Sequence, residues 1–267
     1  MAYELNNAVI AGRLARDPEV RYTAGEHRVA IAQFTVAVDR GKETADYITC
    51  RCIGKNAEFV EKHRRKGDAV ALTGIIRTGS YKRSRDGRTI YTMDVDADTI
   101  TSEKKGNLKL NIVVIEGRLT RDPDVRTTAN GAKMARFTLA VNRPFNKRID
   151  KTEDETDYIS CAAYQENADL VEKLLKGTAI AVIGAIRTGS YTREDGEKVY
   201  TKDVVADTIR YATVRDVQSE EGQSGYGYSA QTPMQDAAAQ GFAEAEQLSM
   251  EGVIQGDYAL PEDLPFT

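Results

Sequence analysis

Gly12-Arg13-Leu14-Ala15-Arg16-Asp17-Pro18 returns about a hundred residues later as Gly117-Arg118-Leu119-Thr120-Arg121-Asp122-Pro123. Working outward from it, Phe34-Thr35-Val36-Ala37-Val38 returns as Phe137-Thr138-Leu139-Ala140-Val141, and Asp46-Tyr47-Ile48 as Asp157-Tyr158-Ile159. Arg77-Thr78-Gly79-Ser80-Tyr81 recurs unchanged at 187–191, and Asp98-Thr99-Ile100 recurs as Asp207-Thr208-Ile209. The order is kept throughout. A period this long exceeds the roughly 20–50 residues of stacking repeats, so each copy is a domain in its own right.

Within the first copy, apolar residues alternate or run in short β-branched stretches over 8–14, 29–38, 47–53 and 70–76, which predicts strands. Asn56 to Lys66 and Asn167 to Lys176 predict helices that begin at an Asn cap and stop at Gly67 or Gly177, with Ala168, Val171 and Leu175 on one face of the second. Asp86-Gly87 and Asp195-Gly196 carry hairpin turn chemistry between the last two strands. Five strands with one helix after the third is the plan of an OB-fold, a small Greek-key barrel. The expected class is therefore all-β: tandem OB-folds over 1–104 and 105–214, then a disordered acidic tail over 215–267.

The net charge of −4 averages regions of opposite character. Residues 1–106 hold 19 Lys and Arg against 15 Asp and Glu, residues 107–215 hold 18 against 16, and residues 216–267 hold none against 10. Two mildly basic units before an acidic tail suggest a body that binds a polyanion. The tail is rich in Gly, Ser, Gln, Ala and acid, and has too few large apolar residues to offset the entropy of ordering it. Cys50, Cys52 and Cys161 do not make a disulfide framework or a zinc set and read as small buried apolar residues. Met1-Ala2-Tyr3-Glu4-Leu5 does not resemble a signal peptide, and no stretch approaches a membrane helix, so the expected location is the cytoplasm, beside the nucleoid.

The motifs together resemble the bacterial single-stranded DNA-binding (SSB) proteins. Gly12-Arg13-Leu14 with Asp17 to Tyr22 is similar to that family's first strand and following turn, and Phe34-Thr35-Val36-Ala37 to its second strand. Gly54-Lys55-Asn56-Ala57-Glu58 resembles the start of its helix, and Asp98-Thr99-Ile100 its last strand. The resemblance implies sequence-independent binding and protection of single strands in replication, recombination and repair, with four OB-folds acting together. Most members carry one fold per chain. Two folds per chain imply a homodimer, with no cofactor and no metal.

A protein that must hold any unpaired strand needs aromatic faces for bases and cations for phosphates. The chain has no Trp. The resemblance places Tyr47 and Tyr158 at an aromatic position on the third strand and Tyr81 and Tyr191 at the base of the final hairpin. Phe145 and Tyr164 match two further aromatic positions in the second copy alone, where the first has Ile53 and no aromatic near Lys42. The second unit is thus expected to stack more and the first to rely on charge. Arg13, Arg21, Lys55 and Arg77, with Arg118, Arg126 and Arg187, are the expected phosphate contacts, helped by the hairpin run Lys82 to Arg88. Against these stand plainer readings. Phe34 and Phe137 belong to the core, Tyr91 and Tyr200 to cross-strand packing, and Lys62 to Lys66 to a solvated helix end.

The last residues resemble the family's acidic terminus, which docks replication and repair proteins through a buried Pro-Phe end. Leu264, Pro265 and Phe266 would fill a pocket, with Glu262 and Asp263 facing basic partner residues, although Thr267 follows the Phe here. Two other functions compete. An enzyme such as a nuclease would need a metal or acid–base cluster, but only His27 and His63 are present and the acidic residues lie scattered in turns. An OB-fold module for RNA or for proteins shares the same architecture.

Overall fold

The computed structural model of the 267-residue chain describes residues 4–24, 28–41, 44–102, 108–128, 131–143, 156–193 and 196–211. Phe145, Asp195, His27 and the tail from 215 with its tip Glu262 to Phe266 lie outside the described residues. The first copy contains β1 (Asn6–Leu14), β2 (Glu19–Tyr22), β3 (Ala30–Asp39), β4 (Ala45–Ile53), α1 (Lys55–His63), β5 (Ala69–Lys82) and β6 (Thr89–Ser102). The second repeats it as β7 (Leu110–Leu119), β8 (Asp124–Thr127), β9 (Lys133–Asn142), β10 (Thr156–Tyr164), α2 (Glu166–Val171), β11 (Ala179–Thr192) and β12 (Lys198–Tyr211).

In the first copy β1 pairs with β5, β5 with β6, β6 in parallel with β4, and β4 with β3, while the end of β1 bends back onto β3 through Arg13↔Ala37 and Leu14↔Val36. The ring is closed, and the second copy closes the same way. Both are the expected OB-fold barrels, with a short extra strand, β2 or β8, added to the edge of β3 or β9. The repeated Gly-Arg-Leu motif marks the corner: a Cβ on Gly12 would stand 2.2 Å from the Ala37 carbonyl oxygen, and one on Gly117 2.5 Å from that of Ala140. Only a residue without a side chain lets the strand cross there.

Alternation fills the barrels. On β4, Asp46, Ile48, Cys50 and Cys52 point inward, while Tyr47, Thr49, Arg51 and Ile53 face out. Phe34 and Phe137 are fully buried, as expected. All three thiols are free and buried, and burial pushes Cys52 up to about 12 and raises Cys50 and Cys161 as well, so none is a reactive thiolate at neutral pH.

The helices depart from expectation. Asn56 and Asn167 do not cap them; each sits inside the first turn and donates its side-chain amide to a last-strand carbonyl, of Asp98 at 2.9 Å and of Asp207 at 3.1 Å. The helices also end earlier, at His63 and Val171, rather than running to Gly67 and Gly177. With the helical phase lost after Val171, Leu174 takes the buried position and Leu175 turns to solvent. Among the described residues no helix is long and apolar enough to cross a membrane.

The two barrels join edge to edge. β1 pairs antiparallel with β7 from Asn6↔Ile115 to Ala11↔Leu110, making one twelve-stranded sheet with an approximate two-fold axis between the copies. The Asn6 side chain bonds both backbone groups of Ile76 at 2.9 Å, and Asn111 does the same to Ile186 at 2.7 and 2.9 Å.

Candidate nucleic-acid interface

The outward faces of β2–β3–β4 and β8–β9–β10 carry five of the expected groups, Arg21, Tyr47, Arg126, Tyr158 and Tyr164. Strand register sets Arg21, Ile31 and Ile53 in one row across the first face, with Arg51 in the next row and Tyr47 farther along β4. The equivalent rows of the second face hold Arg126, Met134 and Tyr164, then Arg136, then Tyr158. Because Arg136 is buried, the first face is the more cationic and aliphatic, the second the more aromatic. Arg51 makes a bidentate pair with Asp96 at 2.8 Å, and Arg136 pairs with Asp203 at 2.9 Å, so both guanidiniums stand in fixed positions. Tyr158 and Tyr164 are half-buried, which raises both hydroxyl pKa values, while their rings remain partly open.

Other expected residues are engaged elsewhere. Arg13 and Arg118 are exposed, but each donates Nη1 to the carbonyl of the glycine after the helix, Gly67 at 3.0 Å and Gly177 at 3.1 Å. They tie the first strand to that loop. Lys55 opens α1 in solvent beside Ile53, and Glu166 occupies the same place in the second copy.

Arg77 and Arg187 join the two units. The Asp157 carboxylate is fully buried and receives Arg77 Nη1 at 3.0 Å, the Thr78 backbone N–H at 2.7 Å, and Arg143 Nε and Nη2 at 2.9 and 2.8 Å. Asp46, also buried, receives Arg187 Nη1 at 2.8 Å and the Thr188 N–H at 2.9 Å, with Arg40 at 3.6 Å. The arrangement is reciprocal, since the Tyr158 N–H donates to Thr78 Oγ1 at 2.9 Å and the Tyr47 N–H to Thr188 Oγ1 at 3.0 Å. The Arg-Thr-Gly-Ser-Tyr and Asp-Tyr-Ile motifs recur because each copy's hairpin docks on the other copy's third long strand. Sequence reading assigned these arginines to phosphates because an ion-pair partner about 80 or 140 residues away leaves no local mark.

Lys202 was also missed. It reaches across the junction to Thr49 Oγ1 at 2.9 Å, Asp94 Oδ1 at 3.0 Å and the Met93 carbonyl at 3.1 Å. Its counterpart in the first copy is Met93, so the repeat itself held the signal. The hairpin tips meet too: Glu197 of the second pairs with Arg83, with Arg88 at 2.9 Å and with Arg85 at 3.6 Å, and its carboxyl pKa is lowered chiefly by its bond to Arg83.

The hairpin tyrosines are not equivalent. Tyr81 is 40% exposed, whereas Tyr191 is 7% exposed, with its hydroxyl buried and without a hydrogen-bond partner among the described residues. A buried ring does not stack on a base, so the expectation that Tyr191 stacks is replaced by a packing role. Tyr191→Phe should leave stability unchanged or raise it by up to about 1 kcal/mol, read from the midpoint of urea unfolding, because it removes an unsatisfied buried hydroxyl. Tyr200, expected in cross-strand packing, is 44% exposed, with Lys198 Nζ 5.8 Å from its ring centroid.

The Single-strand binding protein family model matches residues 5–102 and again 110–212. The single-stranded DNA-binding protein of Halalkalibacterium halodurans is 42% identical over 116 residues, covering 43% of this chain and 68% of its own length. That of Deinococcus radiodurans is 27% identical over 255 residues, covering 87% of this chain and 82% of its own length. The crystal structure of the wild-type single-stranded DNA binding protein from Thermus aquaticus superposes with a TM-score of 0.62 at 26% identity, over 85% of this chain and 98% of that one.

Proposed function

The chain belongs to the single-strand binding protein family, and from that premise we propose that it holds and protects unpaired DNA of any sequence and recruits other proteins through its C-terminal tip. The observation that carries this reading is the family match to both barrels, each presenting an outward face that carries both tyrosine and arginine. Tyr47, Tyr81, Tyr158 and Tyr164 stack on bases. Arg21, Lys55 and Arg126 meet phosphates, joined by Arg51, which the sequence reading had not singled out and whose side chain is open to solvent. Residues 1–104 and 105–214 are the two binding units, and 215–267 the acidic tail, at work in the cytoplasm during replication, recombination and repair.

Titration with oligo(dT) at rising salt tests this directly: tyrosine emission should be quenched and the affinity should fall with salt. Arg126→Gln should flatten the plot of log affinity against log salt by about 0.7, the slope for one phosphate contact on a single strand. Displacement of the bound strand by single-stranded RNA or duplex DNA at equal concentration would refute the role, and time-dependent cleavage of a labelled oligonucleotide with magnesium would point to an enzyme. Deleting 216–267 should leave strand affinity unchanged or slightly tighter while abolishing capture of replication and repair proteins.

The opposite surface supports a homodimer. The outward face of the four central strands carries Val9 and Ile112 as registered neighbours and Val114 beside Ile183, with Ile112 43% and Ile183 46% exposed. An apolar strip lying across an approximate two-fold axis is self-complementary, which suits a second copy and brings four barrels together. Ile112→Lys with Ile183→Lys should halve the mass in solution.

A further inference from the structure

We propose that the second unit's strand-binding face is completed by the first unit's hairpin, and that Asp157 is the positioning residue that sets Tyr81 over the face bearing Tyr158. This rests on the single-strand-binding reading. Beyond Ile76, β5 leaves its own barrel, and from Gly79 to Lys82 its residues are exposed. There β5 and β6 form a two-stranded ribbon running to the turn at Asp86-Gly87. Such a ribbon is marginally stable by itself. Its place must come from what it touches outside its barrel, and the described contacts are with the second unit.

At its base, Asp157 takes Arg77 and the Thr78 N–H, and Thr78 Oγ1 takes the Tyr158 N–H. At its tip, Arg83 and Arg88 take Glu197. The anchored Thr78 lies three residues before Tyr81 on the same strand and bonds the backbone of Tyr158 itself. Two rings offered to one strand of DNA therefore come from different barrels, and the buried carboxylate beside one of them fixes the ribbon that carries the other. Asp46 plays the mirrored part for the second hairpin, so it has no hold on Tyr81.

Mutant cycles in the full chain, read as affinity for oligo(dT), test the assignment. In the natural protein Tyr81→Ala should weaken binding roughly tenfold, within the range for one stacked base. In an Asp157→Asn background the same change should cost less than about twofold, whereas Tyr164→Ala should keep its full effect. In an Asp46→Asn background Tyr81→Ala should again cost about tenfold. Thr78→Ala, which removes one link and leaves the carboxylate, should lower the Tyr81 effect in the same direction and serves if Asp157→Asn does not fold. The assignment is overturned if Tyr81→Ala has no effect in the natural protein, if its effect survives both Asp157→Asn and Thr78→Ala, if Asp46→Asn abolishes it equally, or if Tyr164→Ala collapses along with it. Failure of the natural protein to bind oligo(dT) would instead sink the parent reading.

Discussion

Asp157→Ala should lower stability by about 3–5 kcal/mol, the cost of breaking a buried ion pair from one side. The carboxylate is fully buried, and its loss would take the nearest described acceptor from Arg77, two bonds from Arg143, and the one described acceptor of the Thr78 N–H. The penalty comes mainly from those uncompensated donors, more than from the attraction lost. Asp46→Ala removes a similar carboxylate with fewer close donors, Arg187 and the Thr188 N–H with Arg40 at 3.6 Å, and should cost less. Urea unfolding at neutral pH checks the ranking. Equal losses would mean that Arg143 adds nothing to the clamp on Asp157. Both carboxylates join one barrel to the other, so a separate early transition of one unit should appear in Asp157→Ala and be absent from the natural protein.

Gly184→Ala is the second large effect, with a loss of at least about 3 kcal/mol, at the top of the range for overpacked sites. A Cβ there would stand 2.0 Å from the Val205 carbonyl oxygen, a backbone atom that cannot swing aside, at the point where the β11–β12 register shifts. Gly74→Ala should behave alike, at 2.1 Å from the Asp96 carbonyl oxygen beside the matching shift between β5 and β6. Gly79→Ala is the contrast. Its Cβ would meet only Thr92 Oγ1 at 3.4 Å, and the change should stay within about 1 kcal/mol of neutral. If all three glycines tolerated Ala equally, the close crossing at these bulges would not be a constraint on the fold.

The helix ends show how far local chemistry reaches. Asn56 before an apolar-periodic run is a fair capping signal. Its amide is drawn instead to the Asp98 carbonyl, 42 residues away, because the barrel brings the last strand against the first helical turn. Leu175 failed for a related reason: helical spacing predicts a buried face only while the helix lasts, and α2 ends at Val171. Strand alternation accounts for the outward sense of Arg21 and Tyr47 on the first barrel and of Arg126, Tyr158 and Tyr164 on the second, while the choice of the tyrosines came from the family resemblance.

Periodicity and internal repetition were sufficient to yield two similar β-rich units, each with a helix after its third long strand, since alternation is set by neighbours a few residues apart and the second copy repeats the first; the short strands β2 and β8 carried no such signal. The roles of Arg77, Arg187 and Lys202, and the exposure of Tyr81 against the burial of Tyr191, were decided only when the two barrels met across β1 and β7. Those contacts join residues about 80 to 150 positions apart, and the two copies are unequal there, with Lys202 crossing the junction where the first copy has Met93. No local pattern encodes which carboxylate, lysine or methionine lies on the far side of that junction.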